Sequence, residues 1–321
     1  MNTPNPYRLP IRIFICLTGS ALILSLTILM LSTHIRLGEA GLGCSPWPQC
    51  YAQLSFADGI KGLQIPDSEF RTFRAMHRYV ASLLGVNILV ILLLALRYRR
   101  VIAPGLPALM FLVVIFLSVI GMTTPTRSLP VVTFGNILGG IVLSGLIWRQ
   151  LLRMRSRRII EGHFVLYLLS ATLTLQLISG AWASANYTGS ACPELLTCSH
   201  TENIKAHITD SLNPLRRLTL DENDRMVIDT SSSIIQYTHR LIAIVMAIVV
   251  LISWRLASRH YPHLRGAIRA VVMVFVAEFA LGIFNVLADM PLWTNTLHNL
   301  MAVLLLFSVI NLTMQVRNHS G

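Results

Sequence analysis

Eight apolar stretches of about twenty residues, at 11–34, 79–96, 105–124, 129–148, 164–184, 235–256, 267–287 and 294–314, constrain this chain more than any other feature. Each has the length a helix needs to cross the roughly 30 Å hydrocarbon layer of a bilayer. Lipid offers no hydrogen-bond partners, so a spanning segment must satisfy its own backbone, as a helix or within a closed barrel. The stretches are too long and too continuously apolar for barrel strands. The expected fold is all-α: a polytopic membrane protein of eight transmembrane helices. Charge supports this, because Asp, Glu, Lys and Arg make up 12% of the residues, against about 25% in a soluble domain.

The net charge of +12 invites a nucleic-acid reading, but the placement of the arginines opposes it. Arg8 and Arg12 precede the first span. Arg97, Arg99 and Arg100 follow the second; Arg149, Arg153, Arg155, Arg157 and Arg158 follow the fourth. Arg255, Arg259, Arg265 and Arg269 lie between the sixth and seventh, and Arg317 follows the last. If eight spans alternate, all fall on one side. That is the positive-inside pattern, with both termini cytoplasmic in a bacterial inner membrane. The first span exceeds a secretory h-region and lacks an A-x-A-like site after it, so it is expected to remain as an anchor.

The chain also repeats itself. Span, cysteine loop, span with a His-Arg pair, span, span occurs twice, and His77 and His239 stand 162 residues apart. Four spans per unit is even, so the two units share one orientation, related by an axis along the membrane normal. The expected organisation is two tandem four-helix bundles, 1–158 and 159–321. The second outward loop, roughly 188–233, is longer than the first and rich in Asp.

Cys16 lies within the first span and is expected as a small buried apolar residue. The other four cysteines form two pairs of equal spacing, Cys44/Cys50 in CSPWPQC and Cys192/Cys198 in CPELLTC. Both pairs fall in outward loops, an oxidising space in bacteria. Disulfides are expected, each worth about 2–3 kcal/mol in the chain-entropy model. A metal site would instead require four converging ligands.

Applying the repeat offset to His298 leads to Asn136, so the units present His77 and Asn136 in the first and His239 and His298 in the second. These positions lie near the outward ends of spans 2, 4, 6 and 8. An ionisable residue in a span is costly and marks a function by default. The plain alternative is a neutral imidazole bonded to a carbonyl or water. The pair His239/His298 suggests more, because two neutral imidazoles at matching depth suit the two axial positions of a heme iron. One turn further in stand Ala81, Ala243 and Ala302 after the histidines and Gly140 after Asn136. Small residues there leave room for a porphyrin, or serve ordinary close helix packing, as would Gly135 and Gly139. Arg78 and Arg240 can reach heme propionates or snorkel to the interface. Trp47, Trp182 and Trp293 read as interfacial anchors.

With these residues in place, the chain resembles the heme A synthase family, eight-span proteins of two fused four-helix halves. The likeness rests on GLGCSPWPQC at Gly41 to Cys50, RAMHRY at Arg74 to Tyr79, and SANYTGSACPELLTC, YTHRLIA, LGIFNVLADMPLW and LHNLMA in the second half. It covers nearly the whole chain. The resemblance implies oxidation of the heme O ring methyl at C8 to a formyl group, giving heme A for cytochrome oxidases. It implies a heme b held by His239 and His298, and substrate heme O received in the first half, with His77 as catalytic-half iron ligand. Heme O synthase and cytochrome oxidase assembly factors are the implied protein partners. Three positions depart from the family pattern. Arg74 stands where the family has a glutamate needed for turnover, Asn136 where it has a fourth-span histidine, and Pro46 where it has a loop aspartate. Arginine stays protonated and cannot act as a carboxylate, and asparagine is a poor iron ligand. His34, at the outer end of the first span, is an alternative ligand. A non-catalytic heme b relative acting in heme delivery or oxidase assembly is therefore the competing reading. A transporter is disfavoured, because no span shows the Gly/Pro interruptions of a midplane site.

Overall fold

The computed structural model describes residues 7–42, 68–123, 129–154, 160–161, 164–198, 201–218 and 227–317. Cys44, Cys50, Pro46 and Trp47 lie outside the described residues. Nine α-helices occur among the described ones: α1 Arg8–Leu42, α2 Ser68–Arg97, α3 Gly105–Thr123, α4 Pro130–Arg153, α5 Phe164–Ala185, α6 Ile204–Ser211, α7 Thr230–His260, α8 Arg265–Leu287 and α9 Leu292–Thr313. Seven are long and apolar enough to cross a membrane. The remaining long one, α3, is a shorter apolar helix of 19 residues, which rises about 28 Å. With α3, the eight expected spans are α1 to α5 and α7 to α9, while α6 is a small helix in the long loop between α5 and α7. The protein is an all-helical, polytopic membrane protein.

Local chemistry sets the helix ends. Pro130 opens α4, where its missing N–H costs nothing and its fixed φ is already helical. Asp229 caps α7, its carboxylate accepting from the Ser232 N–H. Arg97, Arg153, Arg259 and His260 fall in the last turns of α2, α4 and α7, complementing the helix dipole. Inside the spans, hydroxyls return their protons to carbonyls one turn back, as in Thr18 to Phe14, Ser144 to Gly140 and Ser253 to Val249. That is the available solution where no water competes.

The packing order α1–α2, α2–α3, α3–α4 recurs as α5–α7, α7–α8, α8–α9. One apolar core gathers Phe14, Ile88, Ile91, Met110 and Ile147; a second gathers Leu169, Leu173, Met246, Ile268 and Leu312. A third joins them, with Ile137 and Ile141 of α4 against Ala181 and Ala185 of α5 and Val303 and Phe307 of α9. Trp148 donates to the Phe307 carbonyl at 3.0 Å and stacks on the Phe307 ring at 5.2 Å. Asn87 of α2 donates to Ser20 Oγ at 2.8 Å, tying α1 to α2. At one end of the bundle, Ile160–Glu161 pairs in parallel with Val316–Arg317, so the connection after α4 meets the segment after α9.

Large apolar side chains such as Leu112, Phe116, Met273 and Val276 face outward, as a lipid-facing surface requires. Cys16 is also exposed on this surface, contrary to expectation. The buried stripe of α1 runs through Phe14, Thr18, Ala21 and Ser25, and Cys16, two residues past Phe14, points to the opposite side of the helix.

Candidate functional site

The sequence-predicted positions share one register. His77 is the tenth residue of α2 and His239 the tenth of α7; Asn136 is the seventh of α4 and His298 the seventh of α9. The structure surrounds the second-half pair with partners that the sequence reading missed.

His239 faces α5. Its Nδ1 lies 3.0 Å from Ser179 Oγ, whose own proton goes to the Gln176 carbonyl at 3.0 Å. An imidazole with its proton on Nδ1 would donate to Ser179 and leave the Nε2 lone pair free for a ligand. The Gln176 amide lies beside the ring, 3.3 Å from Nδ1 and 3.5 Å from Nε2. Gly180 completes the cradle, because a Cβ there would stand 2.9 Å from His239 Cε1. A side chain at that position would displace the imidazole.

His298 faces α8 in the same manner. Its Nδ1 lies 3.2 Å from Glu278 Oε1, angled away from a straight hydrogen bond, and Glu278 Oε2 is buried with no bonding partner. A Cβ on Gly282 would stand 3.3 Å from His298 Cε1. The two imidazoles lie within electrostatic reach of one another. Each thus has Nδ1 turned to an oxygen on a neighbouring odd span and a glycine beside the ring. A ligating histidine needs this outer support to fix its tautomer. The donor set fits an iron porphyrin held by two axial imidazole nitrogens. Among the described residues no three His, Cys, Asp or Glu side chains converge on a metal ion, and a heme does not require them.

The loop side of the pair, between α5 and α7, is braced. Cys192 and Cys198 form a disulfide. Arg240, next to His239, donates to the carbonyls of Cys192 at 2.7 Å, Leu195 at 3.0 Å and Glu194. This arginine holds the disulfide loop. Arg216, buried, bonds both oxygens of Asp229 at 2.8 and 2.9 Å, and Ser231 donates to Asp210 at 2.8 Å. Burial raises the Asp229 carboxyl pKa, but the bonds from Ser232 and Arg216 outweigh it and hold the group below its ordinary range. Trp182 donates to the Ser211 carbonyl at 2.9 Å, so it anchors α6 rather than the lipid interface. Trp293 is largely exposed, as an interfacial anchor would be.

The first half differs. His77 and Arg74 are half-buried and Arg78 exposed. The His34 ring lies 4.8 Å from that of Phe73, one turn before His77. At Gly140 a Cβ would stand 3.0 Å from Leu29 Cδ2, the close packing given as the alternative to porphyrin space. Gly135 and Gly139 likewise accept Ile120 and Leu117. These three glycines serve helix packing.

The family model described as cytochrome oxidase assembly protein matches residues 16–310. A protein of Shewanella oneidensis named heme A synthase is 30% identical over 321 aligned positions, covering 91% of this chain and 93% of that protein. A match of this extent includes both cysteine-bearing halves and every histidine discussed above, and the chain belongs to the cytochrome oxidase assembly protein (COX15-CtaA) family.

Proposed function

We propose that this protein serves heme A biosynthesis in a bacterial inner membrane, converting heme O to heme A by oxidation of the C8 methyl to a formyl group. In this reading the half at 159–321 holds a heme b through Nε2 of His239 and His298. The half at 1–158 receives heme O, with His77 as its iron ligand. Both termini lie in the cytoplasm, and both heme sites open toward the outer face. The single observation that carries the reading is the matched support of two imidazoles: Ser179 Oγ 3.0 Å from His239 Nδ1, and Glu278 Oε1 3.2 Å from His298 Nδ1.

The chemistry of each part follows. Turning a methyl into a formyl group, R–CH3 + H2O → R–CHO + 4 H+ + 4 e−, takes its oxygen from water and releases four electrons, so an electron-accepting centre that passes them singly to an external oxidant is needed within the membrane. A heme b bound at His239 and His298 would supply one-electron transfer. Ser179 and Glu278 place an oxygen beside each Nδ1, Gly180 and Gly282 leave space beside the rings, and Arg240 closes the outward side by fixing the disulfide loop.

One observation favours a second reading, a heme b protein of oxidase assembly without synthase activity. Arg74 and Asn136 replace the family's glutamate and histidine in the half assigned to the reaction. Expression with a heme O source in cells lacking their own synthase separates the two. Formyl heme in the extract, lost in His77→Ala, is the expected result. Its absence, with a b-type spectrum lost in His239→Ala, would establish the second reading.

A further inference from the structure

Glu278 is the only Asp or Glu within the eight membrane-spanning ranges. It is 13% exposed, on α8, with Oε1 3.2 Å from His298 Nδ1 and Oε2 buried without a bonding partner. A carboxylate inside a span is expensive and rarely kept for packing alone. We propose that Glu278 is a positioning residue that orients His298 and lowers the reduction potential of the heme it ligates. This rests on the bis-histidine reading above.

The argument is one of asymmetry. His239 turns its Nδ1 toward a neutral hydroxyl, that of Ser179 at 3.0 Å. His298 turns the same atom toward a carboxylate. An anionic acceptor draws the Nδ1 proton, increases electron density at Nε2 and makes that nitrogen the stronger donor to iron. Stronger donation favours the ferric state, so the potential falls. The same face of α8 provides the space: Gly282, one turn beyond Glu278, is the residue beside His298 Cε1. One helix thus supplies both the clearance and the charge. The repeat offers no counterpart, because the position 162 residues earlier is Phe116, an outward-facing ring. The tuning belongs to the second half alone.

The test uses the full-length protein in detergent, loaded with heme b and titrated by spectroelectrochemistry. Glu278→Gln is expected to keep its heme with a midpoint potential shifted positive and altered low-spin EPR g-values. Ser179→Ala is expected to move the potential less. A heme-bound Glu278→Gln protein with the wild-type potential and g-values would overturn the proposal, since a purely structural contact would change only the melting temperature. If Glu278→Gln retains too little heme to titrate, heme release is compared in Glu278→Asp and Glu278→Ala. Slower release from the Asp variant supports the role of the charge, and equal release overturns it. His239→Ala and His298→Ala keep the two failures apart. If both retain a bis-imidazole spectrum, the heme assignment itself falls. If both lose it while Glu278→Gln is silent, only the role of Glu278 falls.

Discussion

Arg240 donates to the carbonyl of Cys192 at 2.7 Å, so the residue that follows a proposed heme ligand also holds the disulfide loop in place. The planar guanidinium reaches three carbonyls of that loop at once, a geometry an ammonium group cannot copy. Arg240→Lys should therefore loosen the loop. The expected cost is about 1 kcal/mol or more of stability, the scale of a lost charge-assisted bond at a partly exposed site. Thermal unfolding in detergent would show it as a lower midpoint. Reduction of Cys192–Cys198 by dithiothreitol should be several-fold faster. An unchanged reduction rate would remove the bracing role.

Gly180 and Gly282 make a graded prediction. A Cβ at 180 would sit 2.9 Å from His239 Cε1, and one at 282 would sit 3.3 Å from His298 Cε1. The first requires the ring to move; the second requires a few tenths of an ångström. Alanine favours a helix over glycine by about 0.5–1 kcal/mol, so both variants should fold. Gly180→Ala should lose most of its heme, and Gly282→Ala should lose less. The heme-to-protein ratio from a pyridine hemochromogen assay measures this. Equal and full loading in both would mean that the rings do not sit in the occupied site as they do here.

How far these residues were readable beforehand depends on what kind of signal each emits. The spans announce themselves through hydropathy, and the register of His77, His239, Asn136 and His298 follows from the repeat alone. Helix ends do not, because a helix continues past the hydrocarbon into polar surroundings. So α1 runs on to Leu42 and α2 begins at Ser68, nine residues before His77. Glu278 and Gln176 stand out as polar residues inside apolar spans and could have been marked on that ground. Ser179 could not, because a span serine usually bonds its own backbone, and Ser179 does that too. The grip of Arg240 on the disulfide loop is not legible in the sequence, because its partners are main-chain carbonyls, which carry no sequence signature. Gly140 shows the limit of spacing arguments: helical phase puts it one turn from Asn136, but only the packed fold reveals Leu29 beside it.

Asp229 links the loop between α5 and α7 to pH. Burial raises its carboxyl pKa, and the bonds from Ser232 and Arg216 more than offset this, leaving it below the ordinary value of 3.8. A depressed folded pKa means the contribution is fully present above the unfolded value and is lost as pH falls through the folded one. The loop should therefore stay docked at neutral pH and detach only in strongly acidic solution. Asp229→Asn should flatten this acid dependence, and Asp229→Ala should also remove the α7 cap, at a cost of about 0.5–2 kcal/mol. Cleavage within 201–218 by pepsin, followed from pH 4 downward, reports the docking. A wild-type loop cut as readily at pH 4 as at pH 2 would contradict the assignment.

The seam between the two cores offers the last test, and it concerns how the two proposed heme halves stay in fixed relation. Trp148 of α4 crosses to α9, bonding the Phe307 carbonyl at 3.0 Å and stacking on its ring with planes 17° apart. Lipid cannot replace that hydrogen bond, and truncation leaves both a cavity and a competing vacancy for acyl chains. Trp148→Ala should cost about 3 kcal/mol, the low end for a large aromatic, because the ring is only partly buried. Trp148→Phe keeps the stack and loses only the bond, so it should cost about 0.5–1.5 kcal/mol. If heme at His239 and His298 depends on the second core alone, Trp148→Ala should lower the unfolding midpoint while the heme spectrum of the folded protein stays unchanged. Electron exchange between the halves would suffer instead, because their spacing would no longer be fixed, and formyl heme yield should fall further than heme b content. A parallel loss of both would mean that α4 and α9 support the imidazole pair directly.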